Sequence, residues 1–304
     1  MYSSASTARL KAARRLTKRA LRQRERAFLA EGPQSVSEAL ATRAGVSDLF
    51  VTAPALAHHA DLAAAAAAAG IDVQMVSGET MAELAQTVTP QGLLAVCGFV
   101  DVPLDSIANG VANGVANGVA NGVANKGPTL VTLLANVRDP GNAGTVLRTA
   151  DAAGADAVVF ADASVDPYNG KCVRASAGSL FHLPIVVGPR LPETVAALKR
   201  SGLRILAADG RAGVDLHDPR AQAMLSEPTA WLFGNEAWGL PDDLLALADE
   251  SVAVPIYGRA ESLNLAAAAA VCLYATAAAQ RAVAQRAVAQ PAVRPAASAS
   301  VASA

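Results

Sequence analysis

The sequence predicts an α/β protein of two domains, a small one at the N-terminus and a larger one built on a mainly parallel sheet. Strand-like apolar runs alternate with helical segments in both halves of the chain, which is typical of α/β folds. The length of 304 residues suits two ordinary domains. A low-complexity run of Ala-Asn-Gly-Val units separates the halves and predicts a linker between them.

The N-terminal segment is strongly basic. From Ala8 to Ala30 the spacing of apolar residues predicts a helix, which Gly32-Pro33 ends. Nine basic residues against one glutamate give residues 1–30 a net charge of +8, so the other residues carry −9 of the total of −1. Two explanations stay open, a polyanionic partner such as RNA or a solvated helical face.

The remaining N-terminal elements alternate between helix and strand and predict a small α/β domain over residues 1–105. Ser35 can cap a short helix that ends at Ala41. The next elements are a strand at Leu49–Thr52, a helix at Ala55–Ala69, a strand at Ile71–Val76, a helix at Glu79–Gln86 and a strand at Leu93–Val100.

The larger domain is predicted over residues 128–280. Its first strand, Leu130–Ala135, is an apolar run apart from Thr132, as in buried parallel strands. Further strands are predicted at Ala157–Phe160, Leu183–Val187, Arg204–Ala208, Ala230–Phe233 and Ser251–Val254, with helices at Ala143–Ala153, Pro192–Arg200, Pro241–Leu247 and Ser262–Ala279. These elements indicate a mainly parallel sheet with helices on both faces.

Two low-complexity segments lie outside these domains. Residues 106–127 repeat Asn-Gly every four residues, which fits neither a helix nor a strand, and predict a flexible linker. Residues 281–304 repeat Arg-Ala-Val-Ala-Gln, then become rich in Ala, Ser and Pro, and predict a disordered tail.

Composition argues against several classes of protein. The longest apolar stretch, Leu263–Ala279, is mostly alanine and shorter than a membrane span, and no apolar segment follows the basic N-terminus as in a signal peptide. Three separated cysteines and four histidines without metal-ligand spacing argue against a disulfide framework and against a metal site. We expect a cytoplasmic protein with no membrane partner and no metal.

The chemistry is expected in three polar, glycine-rich loops at the carboxyl ends of strands, where open α/β sheets bind ligands. The first loop runs from 136 to 142, where Asn142 can cap the following helix and Arg148 falls on its second turn. Arg148 interrupts an apolar set, so we expect it to pair with a carboxylate or a substrate phosphate.

The other two loops carry amide and carboxylate groups. In the loop from 234 to 241, Gly234 would let a ligand approach the backbone, and Glu236 could bind a ribose hydroxyl or pair with Arg148. In the loop from 254 to 264, Ser262 stands at an N-cap position and Asn264 in the first helical turn. Each loop also has a purely structural explanation as an ordinary turn or cap.

Together the three segments resemble, in order and spacing, the signature motifs of the SpoU (TrmH-like) family of SPOUT RNA 2′-O-ribose methyltransferases. The resemblance covers about Thr129 to Ala279. The N-terminal region resembles the family's substrate-binding domain, which is similar to ribosomal proteins of the L30e type, most clearly in the turn at 28–32. The departures are the repeat linker, the tail and residues 257–261.

The resemblance implies a fold and a set of site residues. The fold would be a trefoil-knotted methyltransferase domain, dimeric, with S-adenosylmethionine as methyl donor and ribosomal RNA, with 23S rRNA favoured, as substrate. The family's cofactor contacts map to Gly234, Val254, Ile256 and Leu263. Its catalytic arginine maps to Arg148, and its other motif residues map to Asn142, Glu236, Ser262 and Asn264. Arg174 lies in a segment similar to a family RNA-contact loop.

Mechanism and alternatives follow from these assignments. The basic helix would bind RNA phosphates through Arg15, Lys18 and Arg22. An arginine is a poor base, so Arg148 is expected to position a phosphate and stabilise the developing alkoxide. The alternatives are a SPOUT enzyme acting on tRNA or on a base, and a non-catalytic RNA-binding relative. A Rossmann-type enzyme is disfavoured because no strand is followed by G-x-G-x-x-G with an acidic residue about 20 positions on.

Overall fold

The structure is a computed structural model and describes residues 3–42, 44–109 and 127–289. Most of the predicted linker and residues 290–304 of the predicted tail lie outside the described residues. The N-terminal part contains β1 (Ser3–Ser4), α1 (Thr7–Arg15), α2 (Arg19–Glu25), β2 (Ala27–Glu31), α3 (Pro33–Ala41), β3 (Asp48–Val51), α4 (Ala53–His58), α5 (Ala60–Ala68), β4 (Asp72–Met75), α6 (Gly78–Leu84), β5 (Leu93–Gly98) and α7 (Leu104–Ala108).

The N-terminal sheet has five strands in the order β1-β4-β3-β5-β2. Strands β1, β4 and β3 are parallel, whereas β5 runs antiparallel to both β3 and β2. Helices α3 and α5 pack on one side of it, where Val36, Ala39, Ala63 and Ala66 join the core. The mixed sheet agrees with the predicted small α/β domain.

The predicted helix from Ala8 to Ala30 is wrong in its second half. The chain breaks into α1 and α2, and α2 ends at Arg26, whose left-handed backbone (φ 49°) turns the chain. Residues 27–31, expected as helix and turn, form β2 instead, with Phe28 opposite Cys97 of β5. Consecutive residues of β2 are buried, which suits a strand covered on both faces better than a surface helix. The predicted helix Ala55–Ala69 is likewise two helices, broken at His59.

The C-terminal part is a seven-stranded sheet, parallel throughout, with the strand order β10-β12-β9-β11-β6-β7-β8. Its elements are β6 (Leu130–Ala135), α8 (Pro140–Ala153), β7 (Ala157–Ala161), α9 (Gly170–Ser176), a 3-10 turn (Ser179–Phe181), β8 (Ile185–Val187), α10 (Leu191–Arg200), β9 (Arg204–Ala208), β10 (Val214–Asp215), α11 (Pro219–Leu225), β11 (Thr229–Phe233), α12 (Asp242–Leu245), β12 (Glu250–Ala253) and α13 (Leu265–Ala289).

The predicted strands of this sheet are all present, with ends that differ by at most two residues. The central strands β6 and β11 are buried along their whole length. One face is covered by α8 and α13, and the other by α10 with α7 and α12. Helices α9 and α11 and the short strand β10 were not predicted, because polar residues break their apolar pattern.

The last helix, α13, continues to Ala289, so the predicted tail does not begin at 281. Two side chains tie this extension to the sheet domain. Gln280 donates to the carbonyl oxygens of Thr129 and Glu227, both at 2.8 Å. Arg281 donates to the carbonyl of Ala153 at the end of α8 (3.1 Å).

By length and composition, Leu265–Arg286 could also cross a membrane. This is weak evidence for a membrane-spanning helix, because the buried side of α13 packs on α8 as a core helix does.

The two domains meet through a buried ion pair. Arg22 Nη2 lies 2.7 Å from Asp166 Oδ2, and the two side chains are 4% and 3% exposed. The Nη1 group of Arg22 also donates to the carbonyl oxygens of Leu16 and Thr17, both at 2.9 Å. The guanidinium thus has protein partners on three sides and joins α2 to the C-terminal domain.

Further polar contacts surround this ion pair. Arg174 Nη1 lies 3.0 Å from Glu31 Oε2. The Tyr168 hydroxyl donates to Asp101 Oδ1 (2.7 Å) and accepts the backbone N–H of Asp101 (2.8 Å). His182 lies between Glu38 of the N-terminal domain (3.0 Å) and Asp151 of α8 (2.8 Å). The domains therefore form one packed unit rather than two bodies joined only by a linker.

The predicted domain boundary at residue 105 falls inside a helix, since the predicted linker 106–127 begins within α7. The chain joins the C-terminal domain earlier, where Asp101 forms a bridge with Ile185 and Val102 donates to the carbonyl of Ile185 (2.8 Å). Ile107 of α7 is buried in the core against α10 and the sheet. Both described ends of the repeat segment, α7 and Gly127, thus lie on the C-terminal domain, next to α10 and Ser201.

Candidate functional site

The three polar loops meet at the carboxyl edge of the parallel sheet and are linked by hydrogen bonds. We name them loop A (residues 136–139, after β6), loop B (residues 234–241, after β11) and loop C (residues 254–264, after β12). Strands β6 and β11 are neighbours in the sheet, which brings loops A and B together directly. Loop C returns from β12 to the start of α13. The structure therefore assembles the segments that the sequence singled out.

Loop A enters α8 through an aspartate cap. Asp139 is the N-cap residue, and its Oδ1 accepts the backbone N–H of Asn142 (2.8 Å). The predicted capping role of Asn142 is wrong, because Pro140 begins the helix two residues earlier. Lys171 of α9 contacts Asp139 Oδ2 (2.8 Å). The hydrogen bond from Lys171 and the backbone N–H of Asn142 lower the pKa of Asp139 below its usual value.

The side chain of Glu236 in loop B binds backbone N–H groups of loop A. Its carboxylate accepts the N–H of Arg138 (3.1 Å) and the N–H of Asp139 (3.0 Å), and Asn142 Nδ2 lies 3.4 Å from Oε1. The expected pair between Glu236 and Arg148 is not formed. A carboxylate that accepts these donors joins loop B to loop A and to the start of α8.

Loop C is joined to the first turn of α8, directly after loop A, through two amide side chains. Asn264 Nδ2 donates to Asn142 Oδ1 (3.0 Å), and Asn264 Oδ1 accepts the N–H of Ala266 (2.9 Å). Asn264 is therefore the residue that caps α13, which begins at Leu265. The predicted capping position of Ser262 is wrong, since Ser262 lies two residues upstream and is exposed.

A tight turn closes loop B. Asn235 and Gly239 exchange both backbone hydrogen bonds at 2.9 Å. A Cβ at Gly234 would lie 2.4 Å from the carbonyl oxygen of Gly239, so only glycine fits there. The group that a side chain at Gly234 would meet is thus the turn itself, and Gly234 also lines the cavity described below. Asn235, which sequence reasoning did not select, fixes the turn to loop A by donating to the carbonyl of Asn136 (2.9 Å).

A cavity of about 260 Å³ lies between loops B and C. All four predicted cofactor contacts line it, together with Glu236, Ser262 and groups from β12 and α13; the four are Gly234, Val254, Ile256 and Leu263. Asp209 and Gly210, in the loop after β9, line it too. The sequence offered a signal for these two that was not used, since they also follow the carboxyl end of a strand.

Arg148 is exposed on the outer face of α8, next to Thr145 and away from the buried Val146 and Leu147. The interpretation that it interrupts a buried apolar set is therefore wrong, and its charge needs no protein partner. No carboxylate in the described ranges lies within 4.0 Å of its guanidinium. The group is free to contact a ligand from solvent.

The four residues predicted to bind RNA separate into two groups. Arg15 and Lys18 are exposed on the N-terminal helices. Arg22 is buried against Asp166, so its predicted contact with RNA phosphate is wrong. Arg174 is partly exposed, but it donates to Glu31 and to the carbonyl of Gln86. Charge pattern alone did not separate a buried arginine from exposed ones.

In the part of the chain that the structure describes, no cluster of three or more His, Cys, Asp or Glu side chains could hold a metal ion. The three cysteines are buried and unpaired, and burial raises the pKa of Cys97 to about 12.

Comparison with known proteins agrees with the site geometry. Residues 129–274 match the model of the SpoU rRNA Methylase family, and residues 7–95 match an MRM3-like substrate binding domain. The chain is 36% identical to the 23S rRNA (guanosine(2553)-2′-O)-methyltransferase RlmP of Bacillus subtilis, over 89% of this chain and 96% of that protein.

Two further relatives differ in how much of the chain they match. A tRNA (guanosine(18)-2′-O)-methyltransferase of Thermus thermophilus is 38% identical over 48% of this chain and 73% of its own length. The AdoMet-bound rRNA methyltransferase of Sinorhizobium meliloti superposes with a TM-score of 0.73 at 29% identity, covering 90% of this chain and 95% of that one. These matches confirm the resemblance seen in the three loops: the chain belongs to the SpoU rRNA methylase family.

Proposed function

We propose that this protein is an S-adenosylmethionine-dependent methyltransferase that modifies a ribose 2′-hydroxyl of 23S ribosomal RNA. The observation that carries the proposal is the hydrogen-bonded junction of loops A, B and C beside one cavity, with the exposed Arg148 on the helix that leaves loop A. The relative RlmP, which matches the chain over both domains, has that activity by name.

The cavity fits the proposed cofactor in its chemistry. Its wall combines apolar side chains from loop C and backbone groups of loop B, which suits a ligand with both an apolar and a polar part. Gly234, Val254, Ile256 and Leu263 would hold S-adenosylmethionine there. When bound, the cofactor supplies an electrophilic methyl group on a sulfonium. Residues Asp209 and Glu261 add negative charge at the cavity for a cationic ligand.

The protein's part in the reaction is to position the ribose and stabilise charge. In the transfer the 2′-oxygen would bond to the methyl carbon as the methyl–sulfur bond breaks, which would leave a neutral thioether. The hydroxyl proton would pass to a substrate phosphate or to water, so alignment and an accepting group are both needed. Arg148 is a permanent cation and would bind the adjoining phosphate and the developing alkoxide. Glu236, Asn142 and Asn264 would act by holding the loops, and Ser262 by lining the cavity.

Ribosomal RNA is favoured over tRNA by the extent of the matches. The N-terminal domain matches a substrate-binding model, and the tRNA enzyme of Thermus thermophilus is similar over less than half of the chain. Arg15 and Lys18 would bind phosphates in a salt-dependent manner. Arg174 would act through the contact that it makes with Glu31. A non-catalytic relative is disfavoured because Arg148 and the loop residues are all retained.

Several features of the family belong to the same proposal. After β12, loop C brings the chain back to α13, which packs on α8, and we take this return as the trefoil knot. The N-terminal mixed sheet would be L30e-like. The exposed face of α13, with Val271 40% and Tyr274 51% exposed, would contact a second copy in a homodimer. An enzyme with this substrate would work in the cytoplasm.

The test is transfer of labelled methyl from S-adenosylmethionine to 23S rRNA and to total tRNA, with Arg148→Ala as the inactive control. We expect label in 23S rRNA only and a loss of at least about 100-fold in Arg148→Ala, as when one group that stabilises transition-state charge is removed. Label in tRNA instead would support the alternative substrate. No transfer to either RNA, with cofactor binding intact, would support the non-catalytic relative.

A further inference from the structure

The two tryptophans of the chain have opposite surroundings. Trp231 of β11 is fully buried, and its indole N–H donates to Thr276 (2.8 Å). Trp238, at the tip of loop B, is 59% exposed. Within the described residues its indole N–H has no acceptor. A large aromatic side chain left in solvent contributes little to the fold, and its ring face and indole N–H are available to a ligand.

The turn presents Trp238 rigidly. The flanking backbone pair between Asn235 and Gly239 and the bond from the N–H of Ala237 to Asn235 Oδ1 (2.8 Å) fix the loop. Asn235 is itself tied to loop A. A rigid aromatic side chain loses little conformational entropy when it binds a ligand, which favours recognition.

The position of Trp238 places it at the mouth of the cofactor cavity. Its neighbours Ala237 and Gly239 both line the cavity, as does Glu236. Arg138, whose N–H is bound by Glu236, is exposed on the adjoining loop. Tyr257 of loop C, 86% exposed, follows the cavity-lining Ile256. Trp238, Tyr257 and Arg138 are thus exposed on the loops that line or adjoin the cavity.

This combination matches the chemistry of an unpaired RNA nucleotide. Proteins recognise single-stranded bases by stacking them on aromatic side chains beside cations that contact the backbone. When the 2′-hydroxyl of a nucleotide reaches the cavity, the base of that nucleotide, or of the next one along the strand, lies beside the mouth. The base has to leave the helical stack for the ribose to enter, and it then needs a new stacking surface.

We propose that Trp238 is the stacking platform for the base of the target nucleotide, or of its immediate neighbour, and so a binding residue for RNA. The inference rests on the proposed function, because it assumes that RNA is the substrate of this cavity. Trp238 touches neither the cofactor nor the reacting atoms in this scheme. It acts by lowering the KM for RNA.

The experiment compares wild type, Trp238→Ala and Trp238→Phe with in vitro transcribed 23S rRNA. We expect Trp238→Ala to raise the KM for RNA about tenfold or more, the loss typical of one stacked base. The kcat should change by less than about twofold, since only binding is removed. Trp238→Phe should restore most of the loss. Cofactor affinity and oligomeric state should equal those of wild type.

Fluorescence supplies a second readout, because only Trp238 is accessible to acrylamide. We expect 23S rRNA to protect this quenchable fraction. Active wild type with an unchanged KM in Trp238→Ala would overturn the inference while leaving the proposed function intact. Weaker cofactor binding in Trp238→Ala would overturn it in favour of a role in the turn, and a changed oligomeric state in favour of a contact between subunits. Wild type without activity on 23S rRNA would instead refute the proposed function.

Discussion

Replacing Arg22 by alanine is expected to destabilise the whole protein and not to act primarily on RNA affinity. The change leaves Asp166, 3% exposed, as a buried carboxylate without its cation. It also removes four hydrogen bonds, two to Asp166 and one each to the carbonyl oxygens of Leu16 and Thr17. Removing one partner of a buried pair costs about 3–5 kcal/mol.

That loss can be converted to a melting temperature. Domains of this size lose about 2–4 °C for each kcal/mol, so Arg22→Ala should melt about 6–20 °C below wild type. The assay is thermal unfolding followed by circular dichroism. A double variant with Arg22→Met and Asp166→Leu removes both charges and should recover much of the loss, since apolar replacement of a whole pair is often neutral.

Arg19→Ala is the matched control. Arg19 lies on the same helix, is exposed, and forms no ion pair with the residues that the structure describes. It should melt within about 2 °C of wild type, as surface substitutions usually do. If Arg22→Ala also melted like wild type, but bound rRNA more weakly with a smaller salt dependence, the buried pair would be refuted and Arg22 would be a phosphate contact.

Three further predictions concern the linker, the domain contact and the loop junction. Replacing residues 110–125 by a short Gly-Ser connector should leave the melting temperature and methyl transfer unchanged, since both described ends of the segment lie on one domain; a clear loss of either would contradict this. Burial lowers the pKa of His182, but its bonds to Glu38 and Asp151 outweigh this and raise the pKa overall. The stabilising effect of the His182 contacts should therefore be complete below about pH 6.5 and fade as the pH rises through the raised pKa. The difference in melting temperature between wild type and His182→Gln should become smaller over the same rise in pH. A difference that grew with pH would contradict the raised pKa of His182. Glu236→Ala should weaken cofactor binding, measured by calorimetry, by about tenfold. The reason is that its hydrogen bonds join the loops; a hydrogen bond to a charged group contributes about 1.5–3 kcal/mol, and less where the group is exposed as here. Unchanged cofactor binding together with lost methyl transfer would instead make Glu236 a catalytic group.

The sheet was the most predictable part of the fold. Leu130–Ala135 and Arg204–Ala208 form strands with the predicted ends, because a mostly apolar run of five or six residues between polar segments has the length of a buried strand rather than of a helix. Residues 27–31 were assigned wrongly, since their strand depends on pairing with β5 about 70 residues later and on the left-handed backbone of Arg26. Such a conformation at a non-glycine residue has no clear sequence signal.

The sequence predicted which loops would meet but not how they contact one another. The three loops were selected because each follows a strand and carries polar residues with glycine. The sequence could not indicate that Glu236 binds the backbone of loop A, because a carboxylate and an amide N–H carry no pairing signal. For the same reason Arg22 was placed with the exposed arginines, since its partner Asp166 lies 144 residues away. Residues 281–289 were assigned to the disordered tail because their sequence is repetitive, although most of these residue types have good helix propensity.

The central claim is that the methyl group goes to a ribose 2′-oxygen of 23S rRNA. The most direct measurement is mass spectrometry of nucleosides from 23S rRNA treated with the protein and deuterium-labelled S-adenosylmethionine. We predict one labelled 2′-O-methylnucleoside, at a position where the chain resists alkaline cleavage, and none with Arg148→Ala. Label in a methylated base with an unmodified ribose would contradict the account.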